Sequence, residues 1–169
     1  MDNQSKRTMD WIKDIVLRNE NKLYRTAIAI TGNKSDAEDI VQDAFVKLLD
    51  KKPDFESQDH ETAWLMRVTI NLCKNHLKSY WRKKTVPILE SYPAKSEEDK
   101  QIIEIISSLP VKYRTVIHLY YYEGYSTKEI AEITNQKEST VREQMTRARR
   151  KLKDFIKEND NEGIYRIHG

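Results

Sequence analysis

Apolar residues return every three or four positions along most of this chain, and no long stretch alternates apolar with polar. That spacing lays apolar side chains along one stripe of a helix, whereas a half-buried strand needs a period of two. Glycine and proline number only four each, so the chain has few places for the turns of a strand-rich fold. An all-α fold is expected. Trp11, Ile12, Ile15 and Val16 begin an apolar face that continues through Leu23, Ala27 and Ile30 until Gly32-Asn33 breaks it. Ala37, Ile40, Val41, Ala44, Phe45, Leu48 and Leu49 mark a second amphipathic helix that stops before Pro53. Ala63, Trp64, Leu65, Val68, Leu72 and Leu77 mark a third, running into a basic cluster at Arg82.

The texture then changes. Residues 85–100 hold Pro87, Ser91, Pro93, Ser96 and the acidic run Glu97-Glu98-Asp99, which reads as a linker. Beyond it a short helix carries Ile102, Ile103, Ile105, Ile106 and Leu109 up to Pro110, and a continuous helix is expected over Val111–Tyr122, closed by Gly124. With 169 residues, of which 38% are hydrophobic and 34% charged, two small helical domains fit better than one large core. The expected division is 1–84, a flexible linker at 85–100, a second domain at 101–157 and a tail at 158–169.

Net charge is only +3, but it is unevenly spread. Acids dominate from Asp36 to Glu61, none occurs between Asn71 and Lys84, and seven bases face two acids between Arg142 and Lys157. One acidic segment and two basic ones suggest different partners for different surfaces. A single cysteine, Cys73, excludes an internal disulfide and, lying in an apolar helical stretch, is expected as a buried core residue. The N-terminus lacks an apolar signal core, and no apolar run approaches the roughly 20 residues that span a bilayer, so a cytoplasmic protein without direct membrane insertion is expected. His60, His76, His118 and His168 show no metal-ligand spacing, and there is no nucleophile–base pair or glycine-rich phosphate loop. Neither an enzyme nor a cofactor or metal site is expected.

Ser126–Leu152 has a mechanical reading. Ser126-Thr127-Lys128-Glu129 is a capping box that starts a short helix, with Ala131 small enough for close packing. Asn135 tolerates positive φ at the turn, and Val141 anchors a second helix from about Ser139 to Lys157. This spacing matches a DNA-binding helix-turn-helix whose second helix enters the major groove. Ser139, Thr140, Arg142, Glu143, Thr146 and Arg147 come early or face away from Val141. Arg can pair with guanine and Glu can accept from cytosine. Arg149 and Arg150, followed by Lys151 and Lys153, are expected to touch phosphates.

The residues resemble a known family at this point. Leu109-Pro110-Val111-Lys112-Tyr113-Arg114-Thr115-Val116, Gly124–Ile133 and Thr140–Leu152 are similar to region four of the extracytoplasmic-function (group IV) sigma factors of the sigma-70 family. Asp36–Leu48, Ala63–Val68 and Asn71–Asn75 resemble region two, and no region three stands between them. The chain departs from the family pattern at Asn135, Gln136, Lys137, Ser139 and Glu143, which leaves the start of the recognition helix open.

The resemblance implies a protein that binds core RNA polymerase and directs it to promoters of a stress- or envelope-responsive regulon. Asp36, Asp39, Gln42, Asp43 and Phe45 would meet the β′ clamp helices. Asn71, Lys74, Asn75, Lys78 and Arg82 would meet the −10 element once its strands part. The set from Ser139 to Arg150 named above would read the −35 element. The loop Pro53–Glu61, including His60, resembles one that pockets a flipped base. Tyr120-Tyr121-Tyr122 would pack region four and offer a face to the β flap, and an anti-sigma factor would be a further partner. The main alternative is an ordinary helix-turn-helix regulator with residues 1–84 as a sensing or dimerising lobe, for which the Asp36–Leu48 pattern has no use. A degenerate interaction module would not need both intact helices.

Overall fold

A computed structural model describes residues 2–81 and 104–160, which form two separate compact units. Arg82, the segment 85–100 and the tail from 161 lie outside the described residues. Every regular element among the described residues is helical.

The first unit is three helices: α1 (Asn3–Thr31), α2 (Lys34–Lys51) and α3 (Gln58–Trp81). The Asp2 carboxylate accepts the Ser5 N–H at 2.7 Å and starts α1 well before Trp11. Gly32, at φ 71°, ends α1 by donating its N–H to the Ile28 carbonyl at 2.8 Å. The Asn33 side chain then accepts from the Asp36 N–H and opens α2. The two residues read as a break thus serve as the C-cap of one helix and the N-cap of the next. Ile15, Leu23, Ala27 and Ile30 pack with Ile40, Ala44, Leu48, Leu65, Met66, Ile70, Cys73 and Leu77 to make the core. Trp11 lies outside it, 36% exposed.

The third helix starts earlier than the apolar pattern indicated, so the inter-helix connection is only residues 52–57. The reason is Glu61. Its carboxylate is buried against α1, where Arg18 donates to both oxygens (3.0–3.3 Å) and the Asn19 side-chain amide donates to Oε1 at 2.9 Å. Thr62 Oγ1 in turn donates to Asn19 Oδ1 at 2.7 Å. A buried carboxylate is tolerable only when so paired, and this network pins the start of α3 to α1.

The second unit holds α4 (residues 104–108), α5 (Val111–Ile117), α6 (Thr127–Thr134) and α7 (Glu138–Asp160). Between α5 and α6 the chain does not remain α-helical: His118–Tyr122 is a π turn, closed by the Glu123 N–H donating to the His118 carbonyl at 3.0 Å. The wider turn places His118 Nε2 3.3 Å from Glu123 Oε1, both side chains being 3% exposed, and stacks Tyr122 on His118 at 5.3 Å. Leu119 points into the core while Tyr120, Tyr121 and Tyr122 stay 36%, 60% and 56% exposed. The expected continuous helix over Val111–Tyr122 is corrected accordingly. The core of the unit is Ile105, Leu109, Tyr113, Val116, Ile117, Leu119, Ile130, Ala131, Ile133, Val141, Met145 and Ala148.

Candidate functional site

Three surfaces carry the residues singled out in the sequence. On α2, Ala37, Ile40, Ala44 and Leu48 turn inward, which leaves Asp39, Gln42 and Asp43 exposed on the opposite face. Val46 and Leu49 continue that face, 52% and 39% exposed. The sequence reading placed Leu49 on the buried stripe and did not single out Val46. Their spacing of seven and ten residues from Asp39 was the available signal. Asp36 lies half-buried at the edge of this stripe, its Oδ2 3.0 Å from His76 Nε2 of α3. Phe45 is half-buried.

On α3, Asn71, Lys74, Asn75 and Lys78 fall at helical spacing on one face, with Asn71, Asn75 and Lys78 exposed and Lys74 half-buried. Burial, and then the charge of Lys78, pulls the Lys74 pKa below the usual ammonium value. Arg82 lies outside the described residues. At the start of α3 the 52–57 connection is braced by aromatic contacts: Phe55 meets His60 edge-on at 5.5 Å and Trp64 at 5.9 Å. The Glu56 N–H donates to His60 Nδ1 at 3.2 Å. Trp64 is therefore half-buried under Phe55 instead of filling the core. Behind the connection a cleft of about 600 Å³ is lined by Arg7, Trp11, Lys52, Phe55 and Gln58 among others.

The third surface is built by α6 and α7. Both bonds of the capping box form at Ser126: its Oγ accepts the Glu129 N–H at 3.1 Å, and its own N–H donates to Glu129 Oε1 at 3.2 Å. Asn135 takes φ 53°, ψ 48° at the turn. The next helix starts at Glu138, one residue before the expected Ser139, with the Lys137 carbonyl accepting from Thr140 and Val141. Glu138, which the sequence reading passed over, ties the two helices together. Its Oε1 accepts from Thr127 Oγ1 at 2.9 Å and from the Arg142 guanidinium at 2.8 Å. The Thr127 bond first, then Arg142, lowers the Glu138 pKa.

Val141, Met145 and Ala148 are buried, so Ser139, Arg142, Glu143, Thr146, Arg147 and Arg150 are exposed, with Thr140 half-buried. Not all of these side chains are unengaged. Thr146 Oγ1 donates to the Arg142 carbonyl at 3.0 Å. Arg147 reaches Glu143 at 2.5 Å, and a hydrogen bond with Tyr113, then the Glu143 charge, raises its pKa. Arg149 is exposed too and donates through Nε to Tyr121 Oη at 2.8 Å.

Among the described residues no group of acids, histidines or cysteines could hold a metal ion, and no helix is long and apolar enough to cross a membrane.

Comparison with known proteins places these surfaces in a family. The model for sigma-70 region 2 matches residues 15–83, and that for sigma-70 region 4 matches residues 99–152. The chain is 28% identical over 162 residues to the ECF RNA polymerase sigma factor SigE of Mycolicibacterium smegmatis, covering 88% of this chain but 63% of that protein. It is 30% identical over 172 residues to the ECF RNA polymerase sigma factor SigW of Bacillus subtilis, covering 88% of this chain and 90% of that one. Its fold is like that of the sigma factor RpoE solved in complex with the anti-sigma factor NepR from Bartonella quintana, with a TM-score of 0.75, 24% identity, and coverage of 86% and 96%. With regions two and four present in that order and the all-α fold to match, the chain belongs to the ECF sigma factors of the sigma-70 family.

Proposed function

We propose that the protein binds core RNA polymerase and directs it to promoters, recognising the −35 element, melting the −10 element and starting transcription at a stress- or envelope-responsive regulon. The observation that carries this reading is the presence, in one chain, of an exposed Asp39-Gln42-Asp43 stripe on α2 and an intact recognition helix on α7. A duplex-binding regulator needs only the second.

The roles divide by unit. Residues 1–84 form the polymerase and −10 domain, 85–100 the linker and 101–157 the −35 domain. Asp39, Gln42 and Asp43 meet the β′ clamp helices, with Val46 and Leu49 supplying apolar area beside the acids. Asp36 and Phe45 flank the stripe and complete the polymerase-binding set. Asn71, Lys74, Asn75, Lys78 and Arg82 follow the −10 strand, the amides reading base edges and the cations tracking phosphates. Ser139, Thr140, Arg142, Glu143, Thr146 and Arg147 face the bases of the −35 element, while Arg149 and Arg150 meet its phosphates. The protein works in the cytoplasm as a non-enzymatic factor. An anti-sigma factor is its further partner, in keeping with the NepR complex of the RpoE protein it resembles in fold.

In vitro transcription tests this reading. Sigma-free bacterial core polymerase is given a genomic fragment library with and without the purified protein. Discrete new start sites that require the protein are expected, and aligning them yields the two promoter elements. Binding to duplex DNA without polymerase and without new starts would instead make the protein an ordinary helix-turn-helix regulator.

A further inference from the structure

Three arginines of the recognition helix are held by side chains, and they are held differently. Arg142 is paired with Glu138 at 2.8 Å, and Arg147 with Glu143 at 2.5 Å. Arg149 has no carboxylate partner among the described residues. Its Nε–H goes to Tyr121 Oη at 2.8 Å. Its guanidinium carbon lies 5.6 Å from the Tyr121 ring centroid and 5.8 Å from that of Tyr120. The two rings brace each other edge-on at 4.9 Å. The π turn at His118–Tyr122 is what turns these rings outward, and the buried His118–Glu123 pair sits at its base.

The chemistry of this arrangement is specific. A guanidinium has five N–H donors in a fixed fork. With Nε–H spent on the tyrosine hydroxyl, the four terminal N–H groups remain for an acceptor. A long side chain that would otherwise sample many rotamers is held in one, so less freedom is lost when an anion arrives. The rings favour the cation without cancelling its charge. The result is an ordered, uncompensated guanidinium on the flank of the helix that the proposed function lays in the major groove, where the neighbouring groups are phosphates.

We propose that Tyr121, braced by Tyr120, is a positioning residue that holds Arg149 ready to clamp a phosphate of the −35 duplex. The proposal rests on the reading of α7 as the −35 recognition helix.

The test uses the full-length protein in holoenzyme with core polymerase and a fluorescent duplex carrying the −35 element of a promoter mapped by the transcription assay. Affinity is measured across a potassium chloride series for wild type, Arg149→Ala, Tyr121→Phe and the double variant. Arg149→Ala is expected to weaken binding severalfold and lower the salt slope by about one. Tyr121→Phe, which deletes only the hydroxyl, should also weaken binding. In the Arg149→Ala background the same substitution should have no further effect. Additive losses, or a Tyr121→Phe protein that binds as wild type while Arg149→Ala does not, would overturn the positioning role. If Arg149→Ala leaves affinity and slope unchanged, the phosphate role fails and the proposal fails with it, although new start sites in the transcription assay would still stand. If Tyr121→Phe weakens assembly with core polymerase and spares DNA binding, the tyrosines serve a protein partner and the proposal is wrong.

Discussion

Asn135 sits at φ 53°, where a side chain costs energy and glycine does not. Asparagine is among the few residues that visit this region routinely. Asn135→Gly is therefore expected to leave stability within a few tenths of a kcal/mol, and Asn135→Ala to lose about 1 kcal/mol, read from the urea midpoint. Cys73 offers a second check. It is fully enclosed, and burial pushes its thiol up to about 12. The unfolded thiol titrates near ~8.5, so this contribution to stability is complete below that pH and is lost as pH rises towards the folded value. In the native protein Cys73 should stay unlabelled by a thiol reagent at pH 8 for hours and react at once in denaturant; rapid native labelling would contradict its burial. Both residues were legible in the sequence, because a turn preference and an apolar neighbourhood are local properties. The neighbour of Asp36 was not: its Oδ2 lies beside His76, 40 positions away on another helix.

At the level of elements, local rules did well at helix ends and poorly where the third dimension intervened. The capping box at Ser126 could be read from four letters, and it forms. Ser126→Ala should cost about 1 kcal/mol and lower the melting temperature of the second unit, with α6 the first helix to lose amide protection. The π turn could not be read, because five residues of π-helix barely disturb an apolar repeat of three and four. Its signal is a polar His118 and Glu123 turned inward together, visible only once the unit is assembled. Glu61 makes the same point. In the sequence it only closes an acidic run; in the fold it is 5% exposed and bound by Arg18 and Asn19. Removing one partner of a buried pair leaves the other stranded, so Glu61→Ala is expected to destabilise the first unit by about 2–3 kcal/mol, discounted for the partial exposure of Arg18. Equilibrium denaturation checks the value, and a loss below 0.5 kcal/mol would mean the network is solvated in solution.

For the molecule as a whole, the order of its two regions was the most legible feature, since each carries long stretches of family pattern. What each surface touches depends on which side chains remain available after folding, and a linear pattern does not state that. Asp39 is available, exposed on α2 with Gln42 and Asp43. Asp39→Arg is expected to abolish co-purification with core polymerase while leaving the melting curve unchanged; normal assembly would mean that another face makes the contact. A last consequence follows from Glu138, whose carboxylate is shared by Thr127 and Arg142. On the proposed reading of α7 as the −35 helix, Arg142 would meet every DNA sequence with an internal rival already in hand. A cognate base would have to displace that carboxylate, whereas on the wrong base the arginine would stay where it is. Such a residue would add little to the affinity for bulk genomic DNA, and fewer copies of the protein would be idled on the millions of sites that are not promoters.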